Sequence, residues 1–321
     1  MKKIILLAAV ALGSLLVALF LGPGKISPVQ LGCLLSGSGV EKTILLQIRL
    51  PRILAGFIVG AGLSVAGAAL QALLRNPLAE SYTLGLSGGA SLGICLGILL
   101  RQTLWLPLFS FCGAMAAMGL VLGLSQRHRF SGATLVLLGV VLNFIFSSFV
   151  LFLLAVSRNE RFYQAFFWLI GDLSWFPQAA LKLAAPVMAG VTVWLFFQSQ
   201  VLDALSLGEE KAATLGLSLG AVRRNTVVAA SLLTGCSVAL SGVVGFVGLI
   251  VPHLVRIMLG ATHRKVLAGS FLLGGAFLVF ADGLARVLIR PLEIPVGVIT
   301  GFFGGLFFLS LLLGQRGRRV W

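Results

Sequence analysis

Long apolar runs separated by short polar breaks dominate the chain. Ten of them stand out, at about 4–21, 53–74, 84–100, 104–124, 133–155, 181–198, 226–248, 250–260, 265–288 and 297–313. A helix needs about 20 predominantly apolar residues to cross a bilayer, so the pattern predicts an all-α, polytopic membrane protein with about ten transmembrane helices. The eighth run is too short to cross alone and, starting close to Pro252, reads as a partial or broken helix. The first run follows Lys2 and Lys3 as a signal peptide would. Its apolar core is longer than a signal h-region of about 7–15 residues, and it ends Phe20-Leu21-Gly22-Pro23 rather than in small residues. It is read as an uncleaved first helix, and residues 1–321 as one transmembrane domain.

Composition strengthens this picture. Of 321 residues 59% are hydrophobic and only 10% charged, whereas a soluble domain is roughly a quarter charged. So many crossings leave no room for a soluble catalytic domain. The balance of 24 Lys and Arg against 9 Asp and Glu gives a net charge of +15. In a soluble chain that would suggest nucleic acid. Here the charges cluster between apolar runs, as the positive-inside rule expects for cytoplasmic loops. With both termini inside, Lys2, Lys3, Arg75, Arg127, Arg129, Lys211, Arg256 and Lys265 are among the inner charges. Arg49, Arg52, Arg286 and Arg290 fall outside, against the bias. Cys33, Cys95, Cys112 and Cys236 show no CxxC spacing and read as small packing residues.

Two organisational features follow. The outer stretch 156–180 is rich in aromatics, with Phe162, Tyr163, Phe166, Phe167, Trp168 and Trp175, and is expected to lie as a short helix at the membrane interface. At an offset of 175 residues Gly60, Gly67, Pro77 and Gly85 coincide with Gly235, Gly242, Pro252 and Gly260. That register suggests an inverted repeat of helices 1–5 and 6–10, an arrangement that places a pathway near the axis relating the halves.

Candidate chemistry is sparse. His128, His253 and His263 are far apart, no P-loop is present, and no catalytic residue, metal or cofactor is expected in this chain. Asp282 is the carboxylate best placed inside an apolar run, with Arg286 four residues on and on the same face. The segment 203–224, DALSLGEEKAATLGLSLGAVRR, is polar and too long for a tight turn. It reads as two short helices: one with Glu209 and Glu210 in its opening turn and Gly216 as its C′ residue, the next capped by Ser218. An apolar edge from Ala212, Ala213 and Leu215 makes the pair a docking surface for another protein.

These residues carry a family resemblance. Arg49-Leu50-Pro51-Arg52, GAGLSVAGAALQALLRNPLAESYTLGLSGGASLG at 60–93, LGEEKAATLG at 207–216, SGVVGFVGLIVPHLVR at 241–256 and LEIPVGVITGFFGGLFF at 292–308 resemble the permease subunits of type II ABC importers, the FecCD-like family of iron–siderophore, haem and cobalamin uptake. The resemblance runs over nearly the whole chain. It implies a homodimer in the plasma (inner) membrane, two cytoplasmic ABC ATPase subunits that bind ATP and Mg²⁺, and an extracytoplasmic substrate-binding protein. Gly208, Glu209, Glu210, Ala213, Leu215 and Gly216 match the family's ATPase-coupling segment. Arg49, Arg52 and Arg286, with Arg290 as a near alternative, match its docking arginines. Asn143, Ser147, Thr300, Gly301 and Gly304 are the expected lining of a pathway along the dimer axis. The competing readings are an ion-coupled secondary transporter, for which Asp282 offers the only ion site, and a membrane-embedded enzyme subunit.

Overall fold

The computed structural model describes residues 2–21, 40–126, 131–156, 168–174, 176–289 and 292–314. Among them the secondary structure is helical, apart from one isolated bridge between Ile289 and Leu292. In chain order the helices are α1 (Lys2–Phe20), α2 (Leu50–Leu74, entered through a π-helical stretch Ile44–Arg49), α3 (Leu86–Leu99), α4 (Leu106–Gln126), α5 (Gly132–Val156) and α6 (Gln178–Phe197). Then follow α7 (Ser199–Ser206), α8 (Glu209–Thr214), α9 (Leu219–Ser241), α10 (Val247–Leu259), α11 (His263–Ala285) and α12 (Val296–Gly314). Each predicted apolar run coincides with a helix. Among the described residues six helical spans are long and apolar enough to cross a membrane, and three shorter apolar helices, Leu86–Leu99, Val247–Leu259 and Val296–Ser310, accompany them.

Burial sorts these spans into core and periphery. The α2 span is 83% buried and that of α11 67%, whereas α1, α5 and α6 each bury 17%. A helix that is apolar on every side belongs in the middle of the protein, and α2 is such a helix. It packs against α9, α10 and α11. Small residues let the backbones touch. A Cβ on Gly60 would stand 2.3 Å from the Gly274 carbonyl oxygen of α11, and one on Gly67 would stand 2.0 Å from the Gly248 oxygen of α10. Without water to drive apolar faces together, such close backbone contact is a main source of helix association.

The seventh and eighth runs end differently from the expectation. Helix α9 stops at Ser241, where Gly242 adopts φ +66. Helix α10 begins five residues before Pro252, with Phe246 as its N-cap at φ +69. Proline lacks an N–H and leaves the carbonyl four residues earlier without its helical partner. That carbonyl belongs to Gly248, and Gln71 of α2 donates to it from Nε2 at 3.3 Å. Pro252 therefore sits inside α10 without breaking it.

The proposed repeat register of 175 residues does not hold. Pro77 lies in the loop after α2 while Pro252 lies within a helix; Gly67 is mid-helix while Gly242 ends one. The matching positions are instead Gly85 and Phe246, the N-caps of the short helices α3 and α10, both left-handed. Helix pairing is reciprocal in this register: α2 packs on α11, and its counterpart α9 packs on α4. In the aromatic stretch 156–180, Phe162, Tyr163, Phe166, Phe167 and Trp175 lie outside the described residues. The part Trp168–Leu173 is folded inward, with Trp168 and Leu173 buried.

Replacing Gly67 with Val should force α2 away from α10 and lower the melting temperature of the purified protein by several degrees, as overpacking costs about 1–3 kcal/mol. Gly119→Ala, where an added Cβ meets nothing within 4 Å, should leave it unchanged. Equal melting curves for both variants would refute the packing role.

Candidate functional site

The basic residues that defy the loop-charge bias converge at one end of the bundle. Arg52 of α2 forms a fork on Asp282 of α11, with Nη2 2.8 Å and Nε 3.1 Å from Oδ1, and its Nη1 reaches Glu293 at 2.7 Å. Arg286 Nε lies 3.1 Å from the other Asp282 oxygen, confirming the pair expected from their spacing. Arg286 Nη1 also donates to the Leu21 carbonyl at 2.9 Å, and Arg49 Nη1 to the Leu19 carbonyl at 2.8 Å. Helix C-termini leave carbonyls without partners and favour cations, so these two arginines tie the end of α1 to α2 and α11. Arg49, Arg52 and Arg286 are 4%, 8% and 2% exposed. They are not the free outward charges of the sequence reading: Asp282 and Glu293 supply acids from within the chain. Arg290 lies outside the described residues.

A second constellation joins the two helix breaks. The loop 75–85 folds between α2, α9 and α10. Glu80 accepts a hydrogen bond from the Phe246 N–H, and the Tyr82 hydroxyl accepts one from the Val244 N–H at 3.1 Å. Ser81 Oγ donates to the Leu63 carbonyl at 2.7 Å. Burial pushes the Glu80 carboxyl above the ordinary carboxylate range, opposed by its bond from Phe246. Glu80, Tyr82 and Gln71 were not singled out from sequence, although a lone carboxylate within the glycine-rich stretch 60–93 was a signal.

The expected pathway residues divide. Asn143 is turned toward α3, where its Oδ1 accepts from the Gly88 N–H at 2.9 Å and from Ser87 Oγ at 3.1 Å. It caps the helix from a neighbouring element and is itself half-buried. Thr300 is fully buried and donates to the Gly297 carbonyl. Gly304 packs against Phe246, which a Cβ there would meet at 2.5 Å. Ser147 is half-buried, and Gly301 has nothing within 4 Å of an added Cβ. Around the latter two, α5 exposes Phe144, Phe149 and Phe152 while α12 exposes Phe302, Phe303 and Leu306.

At the opposite, basic end, α7, α8 and the start of α9 form the polar segment. Its short helix is α8, flanked by Gly208 at φ +113 and Gly216 at φ +80. The second predicted helix is not separate but the first turns of the long α9. Ser218 is its N-cap residue, without a side-chain hydrogen bond. Ala212 is fully buried, so the apolar edge consists of Ala213 and Leu215, the latter 65% exposed. Glu210 is exposed, and the side chain of Glu209 lies outside the description. Asp203 of α7 accepts from the backbone N–H of His263, the first residue of α11, at 2.8 Å and lies 2.7 Å from its Nδ1. A cavity of about 440 Å³ beside this link is lined by Gln71, Arg75, Ser206, His253, Arg256 and His263. Among the described residues no group of three His, Cys, Asp or Glu side chains converges as a metal site.

Cutting one partner from a buried ion pair typically costs about 3–5 kcal/mol. Asp282→Asn should therefore sharply lower the melting temperature of the purified protein. Arg52→Met added to it should cost much less than it does alone. Additive losses in that double-mutant cycle would show that the two side chains do not act as a pair.

Comparison with known proteins follows the same lines. The vitamin B12 import system permease protein BtuC of Vibrio vulnificus is 37% identical over 317 residues, covering 96% of this chain and 93% of that one. The hemin transport system permease protein HmuU of Yersinia pestis is 37% identical over 285 residues, covering 86% and 85%. A solved ABC transporter assigned to the metal-chelate type, in an inward-facing conformation, superposes with a TM-score of 0.89 at 29% identity, covering 98% of this chain and 99% of that one. A family model, that of the FecCD transport family, matches residues 7–314, and the chain belongs to this family of membrane transport permeases.

Proposed function

We propose that this chain is the permease subunit of a binding-protein-dependent ABC importer for a metal chelate, with a ferric siderophore as the substrate and haem or cobalamin as the nearest alternatives. The reading rests on α8. A six-residue helix between two glycines of positive φ, at the basic end of the bundle, serves no internal packing purpose on its exposed side. It suits a surface that receives force from an ATPase subunit. ATP and Mg²⁺ belong to that partner, and this chain carries no catalytic role.

In this reading Gly208, Glu209, Glu210, Ala213, Leu215 and Gly216 form the coupling surface. Movement of α8 is passed on by two links: Arg75, near Gly208 at the end of α2, and the Asp203–His263 bridge to α11. Two copies of the chain bring together the exposed aromatic faces of α5 and α12, with Ser147 and Gly301 closest to the pathway. A bulky chelate passes best over small, weakly polar surfaces that do not hold it. The binding protein docks at the charge-cluster end, where Glu293 is partly exposed and Arg52 lies behind it. The alternative of an ion-coupled carrier loses its candidate ion site, because Asp282 already holds two guanidinium groups.

Reconstituted with its ATPase and loaded binding proteins, the permease should take up substrate with ATP even after ion gradients are collapsed. Gly216→Val strains the left-handed position and is expected to leave membrane insertion and basal ATP hydrolysis intact while cutting uptake at least tenfold. Gradient-dependent uptake would overturn the ABC reading. Normal uptake by the Gly216→Val protein would overturn the coupling role of α8 alone.

A further inference from the structure

A second cavity at the basic end, of about 560 Å³, lies where the first turn of α1, the last turn of α10 and the first turn of α11 meet. Lys2, Lys3 and Lys265 line it together with Ile4, Ile257 and Gly260, and among the described residues no acidic side chain does. Lys3 is set in place by donating from Nζ to the Met258 carbonyl at 2.8 Å, one of the last carbonyls of α10 and a favourable position for a cation. An ammonium has three donors, so two remain. All three lysines are exposed. Like charges around one concavity repel one another, and an anion between them would relieve that repulsion.

The walls indicate which anion. Beside the ammonium groups, Ile257 is 67% exposed and Ile5 and Leu6 on α1 are 62% and 57% exposed. The apolar surface continues along α1 through Leu12, Leu16 and Val17, all at least half exposed, on a helix that buries little of itself in the protein. A cationic hollow opening onto an outward apolar stripe matches a molecule with a charged head and hydrocarbon tails. Basic pockets between membrane helices bind anionic lipid head groups on these grounds. We propose that this cavity binds the phosphate of an anionic phospholipid, whose acyl chains lie along the exposed faces of α1 and α10. The bound lipid then bridges Lys2 and Lys3 on the peripheral α1 to Lys265 on the buried α11.

Native mass spectrometry of the delipidated protein tests this, with phosphatidylglycerol, phosphatidylcholine and inorganic phosphate as probes. Phosphatidylglycerol should bind more tightly than phosphatidylcholine, by about fivefold for each lysine engaged, and the preference should shrink with added salt. Lys265→Gln should reduce it about fivefold, whereas Lys182→Gln on the exposed side of α6 should leave it intact. Equal binding of the two lipids, or an unchanged preference in Lys265→Gln protein, overturns the site. Loss of the preference on adding inorganic phosphate at a concentration equal to the lipid assigns the cavity to a free anion and overturns the lipid assignment.

Discussion

A backbone N–H or C=O buried in this bundle has no water to turn to, and each unmet group would cost several kcal/mol. The breaks before α3 and α10 persist because distant side chains supply the missing partners. Glu80 and Tyr82 hold the Phe246 and Val244 amides, Asn143 holds the Gly88 amide, and Gln71 takes the carbonyl that Pro252 leaves open. Short helices can then begin inside the protein. Their N-termini become fixed points against which α5 and α12 pack through Gly139 and Gly304.

The two ends of the molecule handle charge in opposite ways. At the cluster end, three arginines and Asp282 are buried and, with the partly exposed Glu293, bonded to one another or to carbonyls at the end of α1. Buried ion pairs contribute little net stability compared with apolar packing, but each partner is strongly needed once the other is present. Such a cluster fixes geometry, holding α1, α2 and α11 in one arrangement. At the basic end, Lys2, Lys3, Lys265 and Glu210 stay exposed. One end thereby bonds its charges within the protein, while the other presents exposed lysines and a short helix between glycines.

How much of this was legible in the sequence depends on the range of each interaction. Helices were legible because apolar run length is a local property, and α8 because Glu209, Glu210 and Gly216 mark helix ends locally. The Asp282–Arg286 pair was legible from its spacing of four. The Arg52–Asp282 fork was not, since its partners are 230 residues apart and only packing of α2 on α11 brings them together. Without that contact the arginines look unpaired and invite an external partner. Asn143 was legible only in part: a polar residue on an apolar helix faces away from lipid, but the Gly88 amide that it meets lies 55 residues away. Phe246 was illegible as the counterpart of Gly85, because a left-handed position occupied by a phenylalanine carries no glycine to mark it.

These contacts also connect the parts that the proposed function needs to move together. The Gly60–Gly274 and Gly67–Gly248 approaches join α2, α10 and α11 backbone to backbone, leaving little room for sliding between them. The Asp203–His263 bridge attaches that block to the segment carrying α8. At the far side of the block, the Phe246 ring lies against Gly304 of α12. In the proposed reading, a displacement of α8 would pass through α7 and the Asp203–His263 bridge to this block and on to α12. The glycines at 208 and 216 bound α8 with positive φ, and the block beyond them is packed backbone against backbone. For the proposed coupling role, a short helix held between two glycines and joined to a closely packed block would turn a push on α8 into a concerted shift of the helices behind it.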